Sequence, residues 1–291
     1  MHGKLKYLLP EAKALAGDFF YHAAPGTVYR VGDSRKCRRG IYDGGRKAER
    51  VDKTGGNSGK NVISVRDLYK IYKIGENRVY ALNGVSFDIG RGEFVAIVGT
   101  SGSGKSTLLN MLAGLEPPTK GSIEIAGKRI DRMNERQLVA FRRNNIGFIF
   151  QSYNLLNTMN GIENVAMPLM FRGVPKAKRE KIAEKYMKLM SVLDQAKHMP
   201  NQMSGGQQQR IGIARAMVVD PKIIFADEPT GNLDSHTSMD VLLLMQKLVH
   251  EQHKTLIMVT HDDHLASFAD RQIRIVDGKI VSVEYRKQTD K

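Results

Sequence analysis

Gly99-Thr100-Ser101-Gly102-Ser103-Gly104-Lys105-Ser106-Thr107 is the stretch on which the fold turns. Its first eight residues fit G-x-x-x-x-G-K-[ST]. The required context is also present: the apolar run Phe94 to Val98 before it, and a helical pattern from Ser106 to Leu115 after it. Glycines let a backbone wrap closely around phosphates, so that successive N–H groups and a helix N-terminus face the anion. Lys105 is placed to reach β- and γ-phosphates, and the Ser106 hydroxyl to ligate Mg²⁺. The loop predicts a phosphate cradle between a buried strand and a helix.

Moving outward, strand and helix patterns alternate on the C-terminal side. Ile223 to Ala226, Thr237 to Val249, Thr255 to Val259, His264 to Phe268 and then Ile273 to Val283 follow one another. Such alternation predicts an α/β fold with a mostly parallel sheet and helices on both faces. On the N-terminal side, Val62 to Val65 and Val79 to Ile89 read as strands around a Gly75-Glu76-Asn77 turn, and Gly121 to Ile130 as a further hairpin. That gives an antiparallel β subdomain. Residues 152–202 show helical periodicity, many charges and no strong strand, which predicts an inserted helical subdomain.

Acids and amides fall where the cradle needs them. Asp227 closes an apolar strand, where a carboxylate can face the same Mg²⁺. Glu228 follows it; because side chains alternate along a strand, it is aimed differently and can polarise an attacking water as general base. Gln151 ends another apolar run, and His261 follows the run Thr255 to Val259. Ser204-Gly205-Gly206-Gln207 offers a hydroxyl, free N–H groups and a positive dipole end at a helix start, either as a second anion site or as a plain cap.

Taken in order, these residues resemble the ABC ATPase family over roughly residues 61–285. The resemblance implies that Lys105 lies in the Walker A loop and Asp227 in the Walker B strand. It makes Glu228 the catalytic base, Gln151 the Q-loop residue that ligates metal or water, His261 the switch histidine, and Met203-Ser204-Gly205-Gly206-Gln207 the signature motif. Gly231-Asn232-Leu233-Asp234 fits the D-loop, and Tyr72 stands where an aromatic stacks on adenine. Gly99, Ser101, Gly102, Ser103, Gly104, Lys105, Ser106 and Thr107 hold one ATP, with Ser106, Gln151 and Asp227 around Mg²⁺. Asp234 joins the nucleotide-binding set, and Ser204 to Gln207 close over the ATP of a second copy, because one cradle already fills the site within one chain. The stretches VYALNGVSFDI, VGTSGSGKSTLLNMLAGLEPPTKG, MSGGQQQRIGIARA and ADEPTGNLDS resemble the macrolide-export, lipoprotein-releasing, antimicrobial-peptide-resistance and cell-division group. That implies an ATP-sandwich dimer at the cytoplasmic face of the membrane, peripheral through a separate permease whose contact falls around Ser152 to Gly173. The alternative within the group is a cell-division type, regulating a cell-wall hydrolase through a non-transporting partner.

Composition bounds the rest. The longest uninterrupted apolar runs, such as Phe94 to Val98 and Val241 to Met245, fall far short of the roughly 18 residues of a membrane span. A single cysteine, Cys37, excludes an internal disulfide and a cysteine metal site. The formal net charge is +15, and residues 1–60 hold 13 Lys and Arg against 6 Asp and Glu. Leu5, Leu8, Leu9, Ala12, Leu15, Ala16 and Phe19 recur at helical spacing, followed by a Gly-, Lys- and Arg-rich linker over 25–60. A basic extension over 1–60 is thus expected before an ABC ATPase domain over 61–291. The extension is open to three readings: a disordered or upstream start, a helix docking permease or membrane, or a nucleic-acid tail. For the body of the chain no nucleic-acid partner is expected.

Overall fold

The computed structural model describes residues 61–286. The expected amphipathic helix and linker over 1–60 lie outside the described residues, as do residues 287–291.

Two sheets form the frame. β1 (Asn61–Ile74) and β2 (Asn77–Gly90) make the hairpin around Gly75, and β4 (Lys120–Ile125) and β5 (Lys128–Arg129) extend it, giving the antiparallel order β2-β1-β4-β5. The second sheet contains β3 (Phe94–Val98), β6 (Ile146–Ile149), β7 (Ile223–Asp227), β8 (Thr255–Thr260), β9 (Arg271–Val276) and β10 (Lys279–Tyr285), in the order β10-β9-β3-β8-β7-β6. All its pairings are parallel except β9 with β10. The α/β expectation holds.

Apolar runs without alternation are the mark of strands buried on both faces. In β3, Phe94, Ala96 and Val98 face one core, and Val95 and Ile97 the other. β7 divides likewise, Ile224 and Ala226 from Ile223 and Phe225, as does β8, Leu256 and Met258 from Ile257 and Val259. Each fully buried side chain of this size is worth about 1.5–3 kcal/mol of apolar transfer.

One core is closed by α1 (Lys105–Leu112), through Leu108, Leu109, Met111 and Leu112, together with the inner face of the antiparallel sheet. The other is closed by α3 (Gly161–Phe171), α4 (Lys176–Leu189), α5 (Gly205–Met217) and α6 (Ser235–Gln252). α3 and α4, with two short 3₁₀ turns, fill the stretch between β6 and α5 where helix without strand was expected. Asn164 organises their entry. It is fully buried, its Oδ1 accepts from the Leu156 N–H (2.8 Å), and its Nδ2 lies within 3.1 Å of the carbonyls of Leu156, Met159 and Asn160.

Two elements depart from the sequence reading. α2 (Glu135–Asn145) had no assignment; it buries only Phe141, so its apolar stripe is too thin to register. The run from Ile273 to Val283 is two strands, β9 and β10, because Asp277 (φ 47°) and Gly278 (φ 71°) turn the chain through the left-handed region. α7 (Asp263–Ala266) is a single turn, capped by the Asp262 carboxylate.

Candidate functional site

The loop 99–107 leaves the C-terminal end of β3, in the middle of the parallel sheet, where crevices for ligands form. Gly104 occupies φ 102°, and a Cβ there would stand 2.2 Å from the Ala81 carbonyl oxygen. Only glycine fits that position. Gly102, at φ 80°, meets no atom within 4 Å on its Cβ side, so the crest of the loop is open to a ligand. The turn at Gly278 supports the loop from behind, its N–H donating to the Ser103 carbonyl at 3.1 Å.

α1 begins at Lys105 with no side-chain cap, so its first-turn N–H groups are left for an anion. The Ser103 hydroxyl is buried and has no hydrogen-bond partner among the described residues. These features fit a bound polyphosphate. The Lys105 side chain is buried and its ammonium donates to the Thr100 carbonyl at 2.8 Å. Burial holds its pKa below the ordinary lysine value, with Glu228 and Asp227 pulling the other way.

The tip of β7 delivers the acids. Asp227 Oδ1 accepts a hydrogen bond from the Ser106 hydroxyl at 3.3 Å, across 121 positions of sequence. A hydroxyl and a carboxylate side by side are hard oxygen donors of the kind Mg²⁺ takes. Burial raises the Asp227 pKa, opposed by the Ser106 hydrogen bond and reinforced by the neighbouring Glu228 charge. Below the ordinary carboxylate range Asp227 is neutral folded or unfolded. As pH rises from there through its raised folded value, the unfolded chain ionises first and the folded state loses stability. Asp227→Asn is therefore expected to raise the melting temperature of the nucleotide-free protein at pH 8 by roughly 2–4 °C. The gain should vanish near pH 4, and Mg²⁺-dependent turnover should be lost; a thermal melt across pH checks it.

Glu228 is not aimed by strand alternation. β7 ends at Asp227, and Glu228 turns to φ 43°, its N–H donating to the Val259 carbonyl at 3.0 Å. This departure from extended geometry carries its carboxylate to His261, whose Nδ1 lies 3.1 Å from Glu228 Oε1. His261 stands just beyond the tip of β8, next to β7, which is why residues 33 apart meet.

The amide of Gln151 makes no hydrogen bond among the described residues and does not join the Ser106–Asp227 pair. It faces the turn after Glu228, where a Cβ on Gly231 would stand 2.7 Å from its Nε2. Its backbone carbonyl accepts from Asn232 Nδ2 at 3.0 Å. Tyr72, half-buried on β1, is fixed by its hydroxyl, which donates to the Glu116 carboxylate at 2.8 Å. Burial and Glu116 push its pKa up to about 12, against a lesser pull from the Thr107 hydroxyl.

Ser204 to Gln207 stand apart: among the described residues no hydrogen bond links them to the loop 99–107. They form a capping box at the start of α5, Ser204 Oγ accepting from the Gln207 N–H (3.3 Å) and Gln207 Oε1 from the Ser204 N–H (2.8 Å). One expected free N–H, that of Gln207, is thus occupied. The hydroxyl proton of Ser204 and the first-turn N–H groups of Gly205 and Gly206 keep their donor capacity. Asp234 caps α6, accepting from the Thr237 N–H (3.0 Å) and hydroxyl (2.6 Å), which lowers its pKa. Sequence reading missed Glu116 and Asn232 as neighbours of Tyr72 and Gln151, since both reach their partners across the fold.

A cradle at the tip of a central parallel strand, with an acid from the tip of β7 two strands away in the same sheet, defines a P-loop nucleoside triphosphatase. The ABC transporter family profile matches residues 82–231. An uncharacterised ABC transporter ATP-binding protein of Thermotoga maritima is 48% identical over 227 residues, covering 78% of this chain and 97% of that one. The macrolide export ATP-binding/permease protein MacB of Chlorobaculum tepidum is 47% identical over 229 residues, covering 79% of this chain but 35% of its own length. The chain therefore spans about a third of that relative. The dimeric cassette MJ0796, solved in a post-hydrolysis state with ADP and Pi, superposes with a TM-score of 0.73 at 41% identity, covering 77% of this chain and 99% of that one. The chain belongs to the ABC transporter family, as an ATP-binding ATPase subunit. Among the described residues no helix is long and apolar enough to cross a membrane.

Proposed function

We propose that the chain binds ATP with Mg²⁺ in the 99–107 loop, dimerises around two nucleotides, and drives a separate membrane permease at the cytoplasmic face. The export substrates would be of the macrolide, lipoprotein or antimicrobial-peptide kind. The observation that carries this reading is the meeting of Ser106 and Asp227 at 3.3 Å beside Lys105. The pairing sets two hard oxygen donors beside the loop, where they would hold Mg²⁺ against bound phosphates.

In this reading Lys105 and the α1 N-terminus neutralise the phosphates. Ser106 and Asp227 would hold Mg²⁺, which would offset the charge that grows on the phosphoryl oxygens. Glu228 takes the proton of the attacking water, His261 orients Glu228 and faces the γ-phosphate, and Gln151 reaches the same region through its amide. Tyr72 stacks on adenine, its ring held by Glu116. Ser204 donates its hydroxyl, with the N–H groups of Gly205 and Gly206, to the γ-phosphate held by the second copy. MacB carries ATP-binding and permease functions in its name, and the solved structure of MJ0796 is dimeric, which supports both partners for this chain.

Residues 152–202 act as the arm that meets the permease. In the stretch expected to do so, Leu169 is core, whereas Met170 and Phe171 are 38% and 45% exposed and form the contact surface. Residues 61–291 form the ATPase domain, with the basic extension appended. Two experiments test the proposal. Lys105→Ala should weaken binding of a fluorescent ATP analogue at least tenfold and cut turnover more than a hundredfold, in line with losing the main phosphate cation; unchanged affinity sinks the assignment of the loop. Affinity purification of the full chain from membranes should retain a polytopic partner, and its absence sinks the coupling to a permease.

A further inference from the structure

Arg215 lies in the second half of α5 and is buried, yet it has no carboxylate partner among the described residues. Its guanidinium donates to two backbone carbonyls, those of Tyr153 (2.7 Å) and Asn154. A cation taken out of water without a counter-ion is costly, and burial lowers its pKa to about 10. An apolar side chain would fill the same space without that cost.

The two acceptors share a second peculiarity. Tyr153 and Asn154 hold φ 60° and 49°, in the left-handed region. Such residues cost roughly 1–2 kcal/mol each and persist only where their surroundings impose them. They follow Gln151 by two and three positions. The opposite side of the same turn is tied to the segment after Glu228: Asn232 Nδ2 donates to the Gln151 carbonyl at 3.0 Å, and the Tyr153 hydroxyl to the Asn232 carbonyl at 3.2 Å. The strained turn is thus gripped between α5 and the loop behind the general base. α5 has Ser204 as its cap at one end and Arg215 near the other, within one rigid rod about 20 Å long.

We infer that Arg215 is a positioning residue that holds the turn 151–154 in its left-handed path, and that α5 thereby ties the placement of Gln151 to that of Ser204. This rests on the proposed reading in which Gln151 attends the chain's own γ-phosphate and Ser204 that of the second copy. A shift of the Ser204 end on meeting a nucleotide would then reach Gln151 through the guanidinium.

The test uses the full chain, a fluorescent ATP analogue for affinity and phosphate release for turnover. Arg215→Lys keeps the charge but loses the length and the planar fork that serve the two carbonyls through separate nitrogens. It should lower kcat about tenfold with the analogue's Kd within twofold of wild type. Adding Asn154→Gly, which enters the left-handed region freely, should recover about threefold. Rescue at the turn is a result that a purely core-filling arginine would not produce. If Arg215→Lys fails to give a cooperative melt, Asn154→Val decides: a β-branched residue resists this conformation, and from a half-buried position it should give the same tenfold loss at unchanged affinity. Arg215→Lys at wild-type kcat, a loss that Asn154→Gly does not relieve, or Asn154→Val at wild-type kcat would each overturn the inference. Gln151→Ala separates the two levels. Wild-type turnover in that variant removes the reading of Gln151, whereas an impaired Gln151→Ala beside an unimpaired Arg215→Lys removes only the role of Arg215.

Discussion

Glu228→Gln is expected to lower ATP turnover by about 10²–10³-fold, leave nucleotide affinity within twofold, and convert the Mg²⁺-ATP-loaded chain into a dimer that persists through gel filtration. The size follows from what a positioned general base contributes to a hydrolytic step. The exchange is isosteric. Glutamine can still meet His261 Nδ1 as Glu228 Oε1 does at 3.1 Å, and the backbone that sets the side chain, with φ 43° and an N–H donated to Val259, does not depend on the carboxylate. What the amide cannot do is accept the proton of water. In the proposed cycle ATP binding closes the sandwich and hydrolysis reopens it, so the variant should accumulate in the closed form. A variant that hydrolyses at close to the wild-type rate would sink the assignment of Glu228 as base, whatever its dimerisation.

The cradle was legible in the sequence because its chemistry is contiguous. A loop that wraps phosphates needs glycine at fixed offsets, so Gly102 and Gly104, which the fold places at φ 80° and 102°, announce themselves in a single line of residues. The double-faced burial of β3, β7 and β8 was legible for a similar reason, since a strand with cores on both sides has no polar alternation to hide it. Other features are silent by their nature. Arg215 looks like any arginine on a helix, because its partners are backbone carbonyls and every residue has one. The aim of Glu228 was misread as strand alternation because a one-residue step into the left-handed region leaves no trace in composition. α2 escaped because only Phe141 anchors it, although Asn134 and Gln137 stand at the capping-box spacing and do close that box at its start. The gap between Ile275 and Ile280 passed unnoticed for a simpler cause: Asp277-Gly278 is a turn dipeptide inside what otherwise reads as one apolar run.

Ser204→Arg carries the larger consequence for how the molecule works, because in the proposed reading it separates the two halves of a composite site. Ser204 is exposed at the N-terminus of α5, where its hydroxyl accepts from the Gln207 N–H at 3.3 Å. Arginine there loses a cap worth about 1 kcal/mol and puts a cation at the positive end of the helix dipole. Those costs are modest for a surface position, so the fold and the remote 99–107 loop should survive. Binding of ATP by the single chain is therefore expected within twofold of wild type. Closure is another matter. In the proposed dimer the long side chain would stand where the second copy's γ-phosphate approaches the Gly205 and Gly206 N–H groups, and its bulk would keep the faces apart. In the Glu228→Gln background, where the closed dimer would otherwise accumulate, Ser204→Arg should return the chain to monomer in sedimentation with Mg²⁺-ATP and abolish residual turnover. Ser204→Ala is the control for the lost cap: it should lower the melting temperature by less than Ser204→Arg, which adds the dipole cost, while still permitting dimer. If the double variant dimerises as Glu228→Gln does, the signature turn is only a helix cap, and each chain must complete its ATP site alone.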